Sequence, residues 1–103
     1  MYRLEYLPQA MQDMAEIARY ISHDLSSPVA AEKLANAMIE AGDKLVDFPY
    51  KNRIYQLIRP LKREYRGQIV QSYIMFYDVD EDQKLVTIAR VVYARRDYRK
   101  VLG

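Results

Sequence analysis

Two apolar segments near the end of the chain, separated by a short polar stretch, constrain the fold most. Residues Ile69 to Val79 carry apolar side chains at both odd and even positions, and Leu85 to Val92 is rich in β-branched residues. This pattern favours two paired strands, with the first in the interior of a sheet. The intervening Asp80-Glu81-Asp82-Gln83 predicts a polar turn. Because one strand pair cannot bury its own apolar faces, the rest of the chain has to supply a second layer.

Two amphipathic helices are predicted to form that second layer. Pro8 begins the first helix, which runs to about Asp24, and Ser27-Pro28 begins a second helix that runs to about Val46. Their apolar residues recur at steps of three and four, which gives one stripe to each helix: Met11, Met14, Ala15, Ala18 and Ile21 on the first, and Ala31, Leu34, Ala35, Met38, Ala41 and Leu45 on the second. Both stripes are expected to face the core.

Shorter segments complete the predicted order. Tyr2 to Tyr6 alternates in polarity and favours a half-buried strand, and Lys62 to Arg66 is typical of a short strand that reverses at Gly67. Asp97 to Leu102 favours a short C-terminal turn or helix. The predicted class is α+β with the order β-α-α-β-β-β: an antiparallel helix hairpin packs on a small curved antiparallel sheet. The whole of residues 1–103 is expected to form one domain.

The composition excludes several classes of function. None of the 103 residues is cysteine, so no disulfide or thiolate metal site is available, and a reducing compartment is expected. The three glycines form no phosphate-binding loop, and no histidines and carboxylates have metal-ligand spacing. The N-terminus lacks the apolar run of a signal peptide or a membrane span. We therefore expect no metal, no cofactor and no membrane partner, and a cytoplasmic location.

Basic residues concentrate in the second half of the chain, although the formal net charge is only +2. The group comprises Lys62, Arg63, Arg66, Arg90, Arg95, Arg96, Arg99 and Lys100. Such a cluster is typical either of a solvated sheet edge or of a surface that binds a polyanion. Tyr93 and Tyr98 lie within it and supply stacking groups. The distribution favours a polyanionic partner, with a solvated surface as the alternative.

Several motifs in a fixed order resemble one known family. They are Phe48-Pro49 after the second predicted helix, Tyr73-x-x-Phe76-Tyr77-x-Val79-Asp80 in the central strand, and Arg90-Val91-x-Tyr93-x-Arg95-Arg96-Asp97-Tyr98 at the end. With the predicted order of elements, they make essentially the whole chain resemble the type II toxin–antitoxin toxins of the RelE/ParE superfamily. The resemblance implies a bacterial or archaeal growth inhibitor neutralised by a cognate antitoxin protein. Contact with operator DNA is then expected only through that antitoxin.

The superfamily carries two activities on one fold, and the resemblance implies one of them here. RelE-like members enter the ribosomal A site and cut mRNA, whereas ParE-like members poison DNA gyrase without a known nuclease site. We expect ribosome-dependent mRNA cleavage, with gyrase inhibition by a protein without catalytic activity as the alternative. A third class is an antitoxin-bound repressor partner with neither activity. The residues expected to bind nucleic acid or the target are Lys62, Arg63, Arg95, Arg96 and Tyr98.

Cleavage of RNA without a metal requires a proton acceptor, a proton donor and cations that hold the phosphate. The resemblance places these roles on Arg66, Arg90 and Tyr93, because RelE-like nucleases carry basic residues and a terminal tyrosine or histidine at corresponding places. Arginine suits phosphate because its planar fork binds two oxygens and stays charged. Glu64 suits the general base only if it faces the site, and the single histidine, His23, lies far along the chain. A regular strand also directs Arg90 and Tyr93 to opposite faces, unless it bends or bulges.

Overall fold

The architecture is a pair of helices on a four-stranded sheet. The computed structural model describes residues 1–55 and 63–95. Its elements, in chain order, are β1 (Arg3–Tyr6), α1 (Pro8–Arg19), a π-helical turn (Tyr20–Asp24), α2 (Pro28–Asp47), β2 (Arg66–Val70), β3 (Tyr73–Asp80) and β4 (Leu85–Tyr93). The predicted α+β class and the order β-α-α-β-β-β are confirmed. No helix within the two described ranges has the length and apolar character needed to cross a membrane.

The sheet is mixed, because β1 lies parallel to β4 while the other neighbours are antiparallel. The strand order is β1-β4-β3-β2, so the three-stranded meander is confirmed and β1 adds to its far side. β1 ends at Tyr6 beside Ile88, and β4 therefore extends beyond it. Opposite the Phe76–Tyr77 step of β3, β4 carries a bulge that leaves Ala89 without a paired residue.

The helices pack their apolar stripes on one face of the sheet. The predicted stripe of α2 is confirmed, and its most buried members are Leu34, Met38 and Leu45. The stripe of α1 is rotated from the predicted one: Ala10 and Asp13 are buried, whereas Met11 is 60% exposed. α1 packs against β4 with the buried Ala10 in the core, and Met11 faces solvent. As a consequence, the acidic residue Asp13 lies in the interface between α1 and the sheet.

The first strand of the meander is displaced from its predicted place. The predicted strand over residues 62–66 and the reversal at Gly67 are wrong, because β2 begins at Arg66 and runs through Gly67. The reversal lies instead at Gln71, whose φ of 53° is in the left-handed region. The apolar segment Ile69 to Val79 is thus divided between two strands. Residue 62 and residues 97–102, which belong to two predicted elements, lie outside the described part of the chain.

The outer face of the sheet carries a smaller apolar cluster. Its buried members are Ile74, Phe76 and Val92. Tyr55 and Tyr65 pack against this cluster, and the backbone N–H of Tyr55 donates to the backbone carbonyl oxygen of Tyr65 at 2.9 Å. The Tyr55 ring occupies the space into which a Cβ at Gly67 would project. Glycine at position 67 therefore serves a close approach within a strand and not a turn.

Candidate functional site

Arg90, one of the three predicted catalytic residues, is held by a carboxylate of α1. Its Nε donates to Asp13 Oδ2 at 2.8 Å, and its Nη2 donates to Asp13 Oδ1 at 3.1 Å. Asp13 also accepts hydrogen bonds from the Val91 backbone N–H at 3.0 Å and from Gln9 Nε2 at 3.1 Å. The Arg90 and Asp13 side chains are 22% and 7% exposed. Arg90 is therefore engaged within the fold.

The hydrogen bonds keep Asp13 ionised in spite of its burial. Burial raises the pKa of the carboxyl, but the bonds from Arg90, Val91 N–H and Gln9, with the Arg90 charge, hold the pKa below its ordinary value. An unpaired backbone N–H of β4 explains why an acidic residue occupies position 13. β4 extends past the end of β1, so the Val91 N–H has no strand partner on that side and requires an acceptor.

Arg66, the second predicted catalytic residue, lies at the start of β2. Its guanidinium carbon is 5.0 Å from the centroid of the Tyr50 ring, and Nη1 donates to the backbone oxygen of Asn52. Arg63, predicted to bind the target, forms an ion pair with Asp78 at 2.8 Å, and its side chain is 65% exposed. Both arginines therefore make internal contacts, and Arg63 remains the more accessible of the two.

Arg63 and Arg66 share a pocket of about 390 Å³, which we call the acidic pocket. Its charged lining consists of these two arginines and five carboxylates, those of Glu64, Asp78, Asp80, Glu81 and Asp82. Carboxylates outnumber guanidinium groups here, so the local field repels a phosphate group and attracts a cation. Among the residues that the structure describes, the lining of this pocket is therefore more acidic than basic.

Glu81, in the turn between β3 and β4, joins three segments at the rim of the acidic pocket. It accepts hydrogen bonds from the phenols of Tyr2 and Tyr50, at 2.6 and 2.8 Å, and forms an ion pair with Lys84. Hydrogen bonds from Lys84, Tyr2 and Tyr50 lower the pKa of Glu81 to about 2. The same contact raises the pKa of Tyr50 to about 12. The cluster fixes Tyr50, on which Arg66 stacks.

Tyr93, the third predicted catalytic residue, lines a larger groove between the helices and the other end of the sheet. We call it the tyrosine groove: the phenols of Tyr20, Tyr73 and Tyr93 line it together with the apolar Ile17, Leu25 and Leu34, and its volume is about 740 Å³. The ring centroids of Tyr73 and Tyr93 are 5.7 Å apart. Burial raises the pKa of Tyr73, and the neighbouring Tyr20 and Tyr93 raise it further.

The π-helical turn after α1 shapes one wall of the tyrosine groove. Its first residue, Tyr20, is 50% exposed, and Leu25, which follows its last residue, is 55% exposed. Turns of this kind depart from the regular helical ladder and are frequent at functional sites. The groove thus presents apolar and phenolic surface to solvent, with the carboxylates of Asp13 and Glu16 also in its lining.

The structure does not bring Arg66, Arg90 and Tyr93 together. Arg66 is paired with Tyr77 and Tyr93 with Tyr73, and these two β3 residues are four positions apart, which corresponds to about 13 Å. β2 and β4 flank β3 on opposite sides, which adds a separation of about 9–10 Å across the sheet. Pairing is regular from Arg90 to Tyr93, because the bulge precedes Arg90. Regular alternation directs the Cβ atoms of these two residues to opposite faces. Arg90 nevertheless binds Asp13 of α1, and Asp13 lines the tyrosine groove together with Tyr93.

The remaining predicted site residues fall in three kinds of place. Arg95 is exposed in the turn that follows β4, and Glu64 is exposed at the acidic pocket. His23 is exposed on the π-helical turn. The predicted binding residues outside the described part of the chain are Lys62, Arg96 and Tyr98.

Comparison with known families decides what the chain is related to. The model of the family described as the ParE toxin of the type II toxin–antitoxin system parDE matches residues 4–98. The chain belongs to this family. It is therefore a toxin of a type II toxin–antitoxin system, as the resemblance of its motifs implied. No curated protein is similar enough in sequence to count as a relative of this ParE-family toxin.

Solved structures with the same fold come from several organisms. The chromosomal ParDE toxin–antitoxin system of P. aeruginosa contains a chain with a TM-score of 0.72 and 16% identity, over 92% of this toxin and 98% of that chain. The archaeal RelE–RelB complex of Pyrococcus horikoshii gives a TM-score of 0.62 and 17% identity, over 92% and 97%. The RelBE2 complex of Mycobacterium tuberculosis gives 0.60 and 17%, over 89% and 96%. At these identities the likeness concerns the fold.

Asp13, the acid that binds Arg90, was not among the residues predicted from the sequence. A signal was present: Asp13 lies three residues after Ala10 and four before Ile17, on the helix face that meets the sheet. An acidic residue at such a position indicates a buried partner, because an unpaired buried carboxylate is strongly destabilising. Which of the many arginines supplies the partner depends on the β4 register.

Proposed function

We propose that this ParE-family toxin inhibits DNA gyrase by binding to it, without a catalytic step of its own. The observation that carries the proposal is the engagement of Arg90 by Asp13, through two hydrogen bonds of 2.8 and 3.1 Å. Asp13 occupies the Nε–Nη2 edge of the guanidinium, so Arg90 would meet a scissile phosphate with only its remaining Nη hydrogens and with a carboxylate beside it. The match to the ParE family model supports the same conclusion.

The placement of the other two residues also supports a binding protein. Arg66 lies in a pocket with an excess of carboxylates, and Tyr93 lies in the tyrosine groove near Asp13. Cleavage by an attacking 2′-hydroxyl needs a base, an acid and phosphate-binding cations within hydrogen-bond reach of one phosphate. Arg66 and Tyr93 lie on strands that flank β3 on opposite sides, and their β3 partners are four positions apart, so these residues meet that requirement only after a rearrangement of the sheet.

The test is to induce the toxin in bacterial cells and to map mRNA 5′ ends and chromosomal DNA breaks in the same cultures. We expect DNA breaks and an SOS response with uncut messages. In vitro, the purified full-length toxin should reduce supercoiling by gyrase and leave relaxation by topoisomerase I unchanged. The DNA breaks in cells and the inhibition of supercoiling in vitro should both persist in Tyr93→Phe, because no proton transfer by this phenol is involved.

The competing function, ribosome-dependent mRNA cleavage, predicts the reverse pattern. Cuts inside translated reading frames that disappear in Tyr93→Phe and Arg66→Ala variants would replace the gyrase proposal with a nuclease. Growth arrest with neither cuts nor breaks would reject both activities. The matched control is Arg53→Ala, which removes an exposed cation outside both the acidic pocket and the tyrosine groove.

We also propose that a segment of the cognate antitoxin covers the tyrosine groove. Tyr20, Leu25 and Tyr93 all line this groove and are 50%, 55% and 43% exposed. Such a run of apolar and phenolic surface is typical of an interface with a partner protein. The related structures from P. aeruginosa, P. horikoshii and M. tuberculosis are toxin–antitoxin systems or complexes. Antitoxin binding by this toxin is tested by pull-down with the product of the adjacent gene.

A further inference from the structure

Strand β1 forms one margin of the sheet, and its outer edge carries backbone groups that are free to pair. The Arg3 N–H donates to the backbone carbonyl oxygen of Lys84 at 2.7 Å, on the side of β4. Backbone groups alternate in direction along a strand, so those of Leu4 and Tyr6 point away from β4. Within the described part of the chain, no backbone group is hydrogen-bonded to these two residues from the outer side. Such an edge is able to pair with a further strand.

Two opposite charges stand on the exposed face of β1. Arg3 and Glu5 are two residues apart, so their side chains share this face, and both are exposed. Their partners in β4 are the uncharged Leu85 and Thr87. Neither charge belongs to an ion pair among the residues that the structure describes. A strand added at the outer edge of β1 can therefore supply the opposite charge for each of them.

The charge pattern selects one register for pairing with a second copy of the chain. An antiparallel pair of identical strands related by a two-fold axis is centred on one residue. Centred on Leu4, the pairing places Arg3 opposite Glu5 of the second copy, and the reverse. Centred on Arg3 or on Glu5, it places two like charges against each other. Exposed charges on an edge strand oppose most associations, and here they oppose the two neighbouring registers and favour the central one.

We infer that two copies of this toxin associate through the outer edges of β1, as an antiparallel pair centred on Leu4. Leu4 exchanges two backbone hydrogen bonds with its counterpart, and two reciprocal Arg3–Glu5 contacts flank this centre. The other margin of the sheet is less suitable, because Ile54 already pairs with Arg66 of β2. β1 has only four residues, so the contact is small and the association is weak and reversible. This inference depends neither on gyrase inhibition nor on the antitoxin contact.

Sedimentation equilibrium of the purified full chain tests the association. Concentrations from about 10 µM to about 1 mM bracket the affinity expected of so small a contact. We expect a reversible equilibrium of monomer and dimer for the wild type. In Arg3→Glu, and separately in Glu5→Arg, both cross-strand contacts join like charges, so the association constant should fall at least about tenfold. A wild type that stays monomeric over the whole range would overturn the inference.

Complementary variants show whether the two charges act across this contact. An equimolar mixture of Arg3→Glu and Glu5→Arg should form a heterodimer, because each contact again joins opposite charges. The chain that carries both substitutions should regain self-association for the same reason. Both residues are exposed, so the fold should tolerate the changes.

The matched control for net charge is Glu32→Arg, at an exposed position of α2, which should associate as the wild type does. A dimer that is insensitive to the charge reversals on β1 would lie on another surface. That result, or a mixture of the two single variants that stays monomeric, would also overturn the inference.

Discussion

The Asp13 carboxylate on α1 and the Arg90 guanidinium on β4 are joined by two hydrogen bonds, of 2.8 and 3.1 Å, across 77 positions of sequence. The pair connects the first helix to the last strand at the place where β4 runs past the end of β1. The pair should contribute to the free energy of unfolding more than a surface ion pair does, because neither side chain is more than about a quarter exposed. This cation stabilises the fold, although its sequence position resembles that of a catalytic group.

Removal of one partner of this pair should be strongly destabilising. Asp13→Ala leaves the Arg90 charge and the Val91 N–H without their acceptor, so the free energy of unfolding should fall by about 3–5 kcal/mol. Urea denaturation followed by circular dichroism measures the change. Glu16→Gln is the matched control: Glu16 is an exposed acid on the same helix and should change stability by less than about 0.5 kcal/mol. A loss below about 1 kcal/mol in Asp13→Ala would contradict the assigned role.

The Glu81 cluster predicts a dependence of stability on acid pH. Because hydrogen bonds from Lys84, Tyr2 and Tyr50 lower the folded-state pKa of Glu81 from 4.5 to about 2, its contribution is complete above pH 4.5. The contribution declines below pH 4.5 and is absent below about pH 2. The stability of the wild type should therefore exceed that of Glu81→Gln at neutral pH, and the two should converge in this window.

Denaturation curves of both proteins at steps of half a pH unit measure this convergence. Asp82→Asn, one residue away on the same exposed turn, serves as the control and should run parallel to the wild type. If the wild type and Glu81→Gln keep a constant difference from pH 7 to pH 2, the cluster does not contribute in the way described.

Substitutions at Tyr6 and Gly42 should have strongly coupled effects on the free energy of unfolding. The Tyr6 hydroxyl is buried and finds no hydrogen-bond partner among the residues that the structure describes, so Tyr6→Phe should raise stability by about 1 kcal/mol. Gly42→Ala alone should destabilise, because the new Cβ would meet this hydroxyl. In the Tyr6→Phe background the clash is gone, and Gly42→Ala should add about 1 kcal/mol through helix propensity.

A double-mutant cycle on thermal unfolding checks this coupling. The sign of the Gly42→Ala effect should reverse between the two backgrounds. The same sign in both would show that the Tyr6 hydroxyl is not what restricts position 42.

A charge in the tyrosine groove should release the toxin from its antitoxin. Leu25→Asp places a carboxylate on surface that is 55% exposed, so the fold should tolerate it, while the antitoxin would have to bury that charge. Antitoxin affinity should fall by about a hundredfold or more, as measured by calorimetry. Ile39→Asp is the control, because Ile39 is 49% exposed on α2 and does not line the groove. Equal weakening by both variants would place the antitoxin elsewhere.

The sequence was sufficient for those elements whose periodicity is unambiguous. The α2 stripe follows from apolar residues at steps of three and four, and β4 follows from its β-branched residues, whereas the apolar segment Ile69 to Val79 predicted one strand where β2 ends and β3 begins. β2 was misplaced because Gly67 is equally suited to a turn and to close packing beneath Tyr55, and sequence does not distinguish these. The turn residue is Gln71, whose type carries no turn signal.

The site was less predictable than the fold, for a geometric reason. Whether Arg66, Arg90 and Tyr93 meet depends on strand register, on the position of the bulge and on the acid opposite Arg90. Each of these is set by contacts between segments far apart in the chain. Resemblance to a family of two activities therefore identified the class of protein, while the engagement of each cation depended on three-dimensional packing.

The edge position of β2 has a consequence for how the molecule opens. Among the residues that the structure describes, Tyr55 and Tyr65 pack on the outer face beside β2, whereas two helices shield the other face. Amide hydrogens of β2, the edge strand beneath these rings, should therefore exchange with deuterium through a partial opening that leaves the helices folded. The most slowly exchanging amides should lie in β3 and β4, so thermal fluctuations begin at this margin of the protein and reach its centre last.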